Sequence, residues 1–476
     1  HGYRLLSFHS DTFKKAAFFA VFFLLAAPLP AAEQTITTDV GFIPEMGGAF
    51  KSAGRNFYYV GREKKLAVLN DELKIIQTLQ LMTETAAIDF ADLDKDGNDD
   101  LIEMAQSGIF MRRFSENGFG TATAIIHERL ALPLHVDNLE QSRLTVDFDR
   151  DGYTDFFLPA EGKFIVYHND AGKQFVRQTV LAYQPRGSFT NRLWQNSDLP
   201  SNSIRSTVII PQPAFIDFNN DGIVDAAARI DERIYYFISQ KQKNGITKAF
   251  AETVLKIYPM PQEDIYVAYA EFADFDGDGN YDLIYSAVKG LGLNIRIDIK
   301  VFRGKSAIPD PALIVEQTVK GGVFSPLLAN LRGRKLLIVP SIDTGISFFI
   351  NYILRSRVSL TLQLLDPLNA KVNPLEKTTL TFDSKESAVP GFAYGDFNND
   401  GHTDFALGTE INSIAIFGGN DDFSKQEIAR VDAPAFGIFK PVKNANGGSS
   451  LFIFMTQRSK ADKKTAVYLA PIVVNK

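Results

Sequence analysis

Apolar residues in this chain come in short runs separated by polar or glycine-containing turns. Runs such as "AAIDF", "DFFLPA", "IYYFIS" and "DLIYSAV" are rich in Val, Ile, Phe and Tyr. Short runs of that composition, bounded by Gly, Asn and Asp, predict β-strands. No long stretch shows the apolar spacing of an amphipathic helix. One order of runs recurs. A short run leads into an acidic turn, a second run leaves it, a third follows a tight turn, and a fourth closes the unit.

The acidic turns mark the period. They are "DLDKDGNDD" from Asp92, "DFDRDGYTD" from Asp147, "DFNNDGIVD" from Asp217, "DFDGDGNYD" from Asp274 and "DFNNDGHTD" from Asp396. Their first aspartates lie 55, 70, 57 and 122 residues apart. The last gap holds room for one more unit. Residues 327–341, "LLANLRGRKLLIVPS", keep the two apolar runs and the glycine turn but lack the aspartates. Four antiparallel strands at this period predict a β-propeller, because a lone four-stranded sheet cannot bury both faces and stacked blades can. Residues 48–81 supply another unit without an acidic turn. The C-terminal runs supply three strands, and "TITTDVGF" near the N-terminus can supply the fourth. The count is eight blades in one domain over residues 33–476. Seven is the alternative if the N-terminal stretch only shares a blade.

The acidic turn has a chemistry. Places one, three and five carry side-chain oxygens: Asp92, Asp94 and Asp96; Asp147, Asp149 and Asp151; Asp217, Asn219 and Asp221; Asp274, Asp276 and Asp278; Asp396, Asn398 and Asp400. Place six is glycine, which allows a sharp bend. Place seven, at Asn98, Tyr153, Ile223, Asn280 and His402, offers a backbone carbonyl. Place nine returns to aspartate at Asp100, Asp155, Asp225, Asp282 and Asp404. Alternating oxygens aimed at one point repel one another without a cation and suit Ca²⁺, which takes six to eight oxygen ligands. Mg²⁺ fits less well because it demands near-ideal octahedral geometry. An EF-hand would close with a glutamate at place twelve and run on as a helix. Here only Glu103 is acidic at that place, and a strand follows. Up to five calcium ions are expected, with weaker binding where Asn219 and Asn398 remove a charge.

The string "DFNNDGHTDFALG" and the later turns "NGFG", "AGKQF" and "NDDF" resemble the FG-GAP/VCBS repeat, which builds the propeller of integrin α-subunits and occurs in many secreted bacterial proteins. The resemblance spans residues 86–430 apart from the unit near Leu327. It implies that the acidic turns join the first and second strands of each blade on one rim. It also implies that partners dock on the opposite rim and that calcium is mainly structural.

At the N-terminus, Lys14 and Lys15 precede "AAFFAVFFLLAA" and "PLPAAEQ". A basic start, a short apolar core and small residues describe a signal peptide, here with an N-terminal extension, over residues 1–32. The apolar run is short for a membrane span, which needs about 20 residues; an uncleaved anchor is the alternative. This predicts a secreted or periplasmic bacterial product. The sequence has no cysteine, so disulfides and thiolate sites are excluded and rigidity must come from elsewhere. The net charge of −6 argues against a nucleic-acid binder.

The longest inter-blade segments are residues 127–142 and 184–213. The second holds the chain's one tryptophan, Trp194, near Phe189 and Arg192. Trp and Arg are enriched at binding hot spots, so these three residues form a candidate partner site, unless Trp194 merely packs the segment onto its own blade. No HExxH, GxSxG or phosphate-binding glycine loop occurs. The expectation is a module that binds a protein or glycan. A polysaccharide lyase or glycosidase on the same scaffold is the rival, discriminated by the presence of a deep cleft with convergent Arg, Lys, His or Tyr.

Overall fold

The computed structural model describes residues 34–474, except residues 135, 137–138, 184–186, 193–202, 209–211, 231–232, 241–248, 257–264, 291–293, 306–307, 323–324, 332, 343–356, 368–375, 384–389, 420–426, 445–446 and 457–464. The expected signal segment and Trp194 therefore lie outside the described residues. No α-helix occurs among the described residues.

The chain forms an eight-bladed β-propeller of four-stranded antiparallel sheets. Blade 1 comprises Met46–Ser52, Arg55–Arg62, Lys65–Leu69 and Ile75–Gln80. Blade 2 comprises Thr85–Ala91, Asp100–Ala105, Gly108–Arg112 and Thr123–Ile126. Blades 3 to 7 occupy residues 145–182, 213–256, 265–320, 327–383 and 392–432. Blade 8 joins Ile438–Lys443, Ser449–Phe454 and Ala466–Ile472 to Ile36–Asp39, which pairs antiparallel with the last strand at Ile36↔Leu469. The two ends of the chain thus share one blade, as the run "TITTDVGF" predicted. That closing strand is mostly exposed. It ties the ring by main-chain pairing more than by core burial.

Eight apolar clusters fill the eight blade interfaces, and strand periodicity explains how. In the second strand of blade 1, Tyr58 and Val60 join Phe452 and Phe454 of blade 8, while Phe57 and Tyr59 join Leu101 and Phe114 of blade 2. In blade 2, Leu101 faces blade 1, and Ile102 and Met104 face Phe156 and Leu158 of blade 3. The same exchange continues around the ring. Second strands are accordingly buried throughout, as in Asp100–Ala105 and Asp155–Ala160.

Antiparallel order also fixes where connections lie. First-to-second turns fall on one rim, and fourth-to-first connections fall on the other. Fourth strands such as Phe175–Ala182 are the more exposed edges, so first strands face the axis. The connections that contain both long inter-blade segments therefore start and end at the rim opposite the acidic turns. The segment after blade 2 ends in a two-residue strand, Glu140–Gln141, that pairs in parallel with Ala87 and Ile88 on the axial side of blade 2. The segment after blade 3 carries a separate hairpin, Gly187–Arg192 against Ser203–Val208.

Candidate functional site

All five acidic turns occupy one structural position, between the first and second strands of blades 2, 3, 4, 5 and 7. Two left-handed residues bend each turn. Place six is the glycine, with φ of 84–90° at Gly97, Gly152, Gly222, Gly279 and Gly401. Place four is Lys95, Arg150, Asn220, Gly277 or Asn399, with φ of 54–75°. The bend aims the side chains inward. The place-one carboxylate accepts the glycine N–H at 2.9–3.1 Å, as in Gly97 N to Asp92 Oδ2 and Gly222 N to Asp217 Oδ2. The place-five carboxylate accepts the place-seven N–H at 2.7–2.9 Å, as in Tyr153 N to Asp151 Oδ1.

Place nine has a job that spacing alone does not reveal. Asp100, Asp155, Asp225, Asp282 and Asp404 are each no more than 1% exposed. One oxygen accepts the N–H of Phe114, Asn169, Ser239, Gly304 or Gly419 at the end of the third strand, at 2.7–3.2 Å. In four turns the other oxygen accepts the N–H of place two, from Phe148, Phe218, Phe275 or Phe397, at 2.8–3.0 Å. The side chains at place two, including Leu93, are buried pegs. The place-nine carboxylate thus bolts the turn to the third strand. Burial pushes the Asp100 and Asp155 carboxyls up to about 7 and Asp225 to about 6, against the lowering effect of their main-chain donors. Asp282, Asp404 and Asp147 are raised for the same reason.

The donor sets fit an oxygen-ligated cation. Ligand atoms of Asp92, Asp94 and Asp96, of Asp147, Asp149 and Asp151, and of Asp274, Asp276 and Asp282 gather within 4.8 Å in each set. Asp94 Oδ1, Asp100 Oδ2 and Asp147 Oδ1 are buried without a hydrogen-bond partner. Buried polar atoms are ordinarily paired, so these oxygens await a donor or a cation. In the turns of blades 4 and 7 the amides of Asn219 and Asn398 instead donate to Asp221 and Asp400 at 3.0 and 2.9 Å. Glu103 stands apart from its turn. It is fully buried, takes Arg112 Nε at 2.5 Å and accepts from Met82 N at 2.8 Å.

Place four also links neighbours along the rim. Lys95 donates to Asp151 O at 2.9 Å and lies 3.8 Å over the Tyr153 ring. Arg150 reaches Asp217 Oδ2 at 3.3 Å, Asn220 reaches Gly279 O at 2.7 Å, and Asn399 reaches Gly447 O at 2.7 Å. The sequence held a faint signal for this at the asparagines and none at Lys95 or Arg150, which do not favour turns.

On the opposite rim, a cleft of about 550 Å³ opens near the axis between blades 8, 1 and 2. Its lining includes Glu45, Met46, Glu140, Gln141, Ile438 and Lys440. Tyr59 Oη donates to Gln141 Oε1 at 2.7 Å, and buried Asp89 accepts from Thr145 Oγ1 at 2.9 Å beside Gln141 Nε2 at 3.5 Å. The parallel strand Glu140–Gln141 builds this wall. A two-residue strand gives almost no sequence signal, which is why the cleft was not foreseen. Phe189 and Arg192 lie on the hairpin between blades 3 and 4, paired with Ser206 and Ser203.

No family model and no curated protein matches the chain. Among solved structures, an Agrocybe aegerita lectin that recognises non-reducing terminal N-acetylglucosamine is 12% identical, with a TM-score of 0.39, over 70% of this chain and 79% of that one. A complex of BBS1N with ARL6DN is 9% identical at a TM-score of 0.38, over 87% and 98%. The V. cholerae biofilm matrix protein Bap1 is 9% identical at 0.28, over 89% and 76%. These similarities concern shape and carry no function across. No helix among the described residues is long and apolar enough to cross a membrane.

Proposed function

We propose that this chain is a secreted or periplasmic propeller of the FG-GAP/VCBS type, stapled by calcium on one rim and binding a glycan or protein partner on the other. Calcium would be held by the oxygens at places one, three, five and nine of each turn, with the carbonyl of place seven. The ion supplies charge neutralisation and cross-links the turn. The orphaned, buried oxygens of Asp94, Asp100 and Asp147 support this most directly. The chain's own residues do the rest: place nine anchors the turn to the third strand, and place four, except at Gly277, ties it to the next blade.

The observation that carries the binding reading is the segregation of the two rims. The acidic turns crowd one rim, while both long connections start and end at the other, where the axial cleft opens. The cleft mixes carboxylates, an amide and Lys440 with the apolar edges of Met46 and Ile438. That combination suits a polyhydroxylated ligand such as a glycan end. Screening the chain from residue 33 against an oligosaccharide array in calcium, with Gln141→Ala and Lys440→Ala alongside, tests it. Binding that both substitutions weaken supports the cleft, and binding indifferent to both removes it. Glu45 and Glu140 share the cleft, and glycoside hydrolysis uses a carboxylate pair. Turnover of a bound oligosaccharide that Glu140→Gln abolishes would move the reading to an enzyme.

A further inference from the structure

The five acidic turns differ at one position that lies outside the turn itself. It is the residue just before the third-strand N–H that binds the place-nine carboxylate. In blade 2 it is Arg113, whose guanidinium is 3.1 Å from Asp94 at place three. In blade 5 it is Arg303, 2.6 Å from Asp276. In blades 4 and 7 it is uncharged, Ile238 and Gly418, and place three is asparagine. In these four turns a carboxylate at place three faces an arginine, and an amide faces an uncharged residue. In blade 3 the position is filled by His168, facing Asp149. Unlike arginine, an imidazole can ligate a metal.

We infer that the turn of blade 3 is a mixed nitrogen–oxygen site for a borderline divalent ion of the zinc class, built from His168, Asp149 and Asp155. His168 Nδ1 lies 3.2 Å from Asp155 Oδ1 and 3.7 Å from Asp149 Oδ2. Two ligands held at about 2.1 Å on a tetrahedral ion are about 3.4 Å apart, between these two values. The three ligand atoms all fall within 4.8 Å of one another. Asp147 Oδ1 is buried at the same turn without a hydrogen-bond partner, but Asp147 gathers with Asp149 and Asp151, so the fourth position on the ion is left to solvent. The His168 ring is only 17% exposed, so it is already turned inward. Imidazole suits zinc, cobalt and nickel, whereas calcium selects hard oxygens. One corner of the ring therefore answers to a different metal from its four sisters. The inference rests on the calcium reading only in treating the turn as a cation site.

The test titrates cobalt, as a spectroscopic stand-in for zinc, into the full chain held in saturating calcium. Bound metals are counted by native mass spectrometry. The wild type should take one cobalt with a tetrahedral ligand-field spectrum. His168→Arg, which copies the arrangement of blades 2 and 5, should weaken cobalt by about tenfold or more while the four other turns keep their calcium. His168→Asn gives the same readout without a bulky cation. Equal cobalt uptake by wild type and both variants, or none by the wild type, overturns the inference. Calcium uptake alone decides the calcium reading: cobalt without any calcium leaves this site standing and removes that one.

Discussion

Blade 6 and blade 4 reach the same sheet by different corners. In blade 6 the strands Leu327–Leu331 and Arg334–Ile342 are joined by a tight turn with Gly333 in the left-handed region. In blade 4 the strands Pro213–Ile216 and Asp225–Ile230 are joined by the acidic loop from Asp217. Yet both blades place alternate residues into two interfaces. Leu336 and Ile338 face blade 7 and Leu337 and Val339 face blade 5, as Ala226 and Ala228 face blade 3 and Ala227 faces blade 5. The blade needs alternating apolar strands and a turn of any kind. The acidic corner is an addition, and on the calcium reading proposed above it would make part of the ring's stability depend on a cation.

The largest effect should come from removing that cation. Each saturated site contributes about 2.7 kcal/mol at a hundredfold excess over its Kd. Several such sites amount to a fall in melting temperature of about 10 °C on chelation, given about 2 cal/mol/K per residue of unfolding entropy. Calorimetry with and without chelator measures it. Hydrogen exchange should rise at the five acidic corners and stay level at the blade 6 turn. An unchanged melt, or a uniform rise in exchange, breaks the distinction between the two kinds of corner.

Next in size is the place-nine anchor. Asp225→Ala leaves the buried N–H groups of Phe218 and Ser239 without their acceptor. Each orphaned donor costs about 1–3 kcal/mol, so the variant should lose about 3 kcal/mol by denaturant titration. Part of that loss should persist in chelator, because the anchor works without an ion. A loss that vanishes when calcium is removed would make Asp225 a ligand and nothing more.

These anchors show where the sequence was legible. Strand order, eight blades and the closing strand could be read because each strand carries its own apolar alternation and each turn its own Gly, Asn or Asp. The acidic turns could be read because their residue types are local. What could not be read depends on pairs distant in sequence. Asp225 is legible as an aspartate, but its bond to Ser239 is not. Nor is the stacking of Lys95 on Tyr153, or the docking of Glu140–Gln141 against Ala87 and Ile88. Of the candidate partner trio, Phe189 and Arg192 fall on the hairpin between blades 3 and 4, and Trp194 is outside the described residues.

Acidity should separate the corners in a direction opposite to ordinary acid denaturation. Burial holds Asp100 at about 7 and Asp225 at about 6, above the unfolded value of 3.8. A carboxyl raised on folding binds its proton more tightly in the native state. Its stabilising contribution is complete below the unfolded value and is lost as pH rises through about 6–7. In chelator, therefore, lowering the pH from about 7.5 to about 5.5 should raise the melting temperature. With calcium present the same change should lower it, because protons then compete with the ion. Equal slopes in both conditions would contradict the proposal that these carboxylates surround a cation.

The smallest effect isolates the corner most cleanly. Gly333 in blade 6 and Gly222 in blade 4 are both left-handed, at φ of 71° and 90°, and a Cβ at either meets nothing within 4 Å. Alanine at each therefore carries the same intrinsic backbone penalty, about 1 kcal/mol. The two positions differ in one respect. The N–H of Gly222 donates to Asp217 Oδ2 at 2.9 Å and so orients the place-one carboxylate, whereas Gly333 serves only its turn. In chelator the two variants should melt within about a degree of each other, since their strain is alike. In calcium, Gly222→Ala should fall further by whatever ion affinity the disturbed carboxylate has lost, while Gly333→Ala should not move. The gap that calcium opens between two otherwise matched glycines is then a direct reading of what the acidic corner adds to the blade, free of the steric cost common to both.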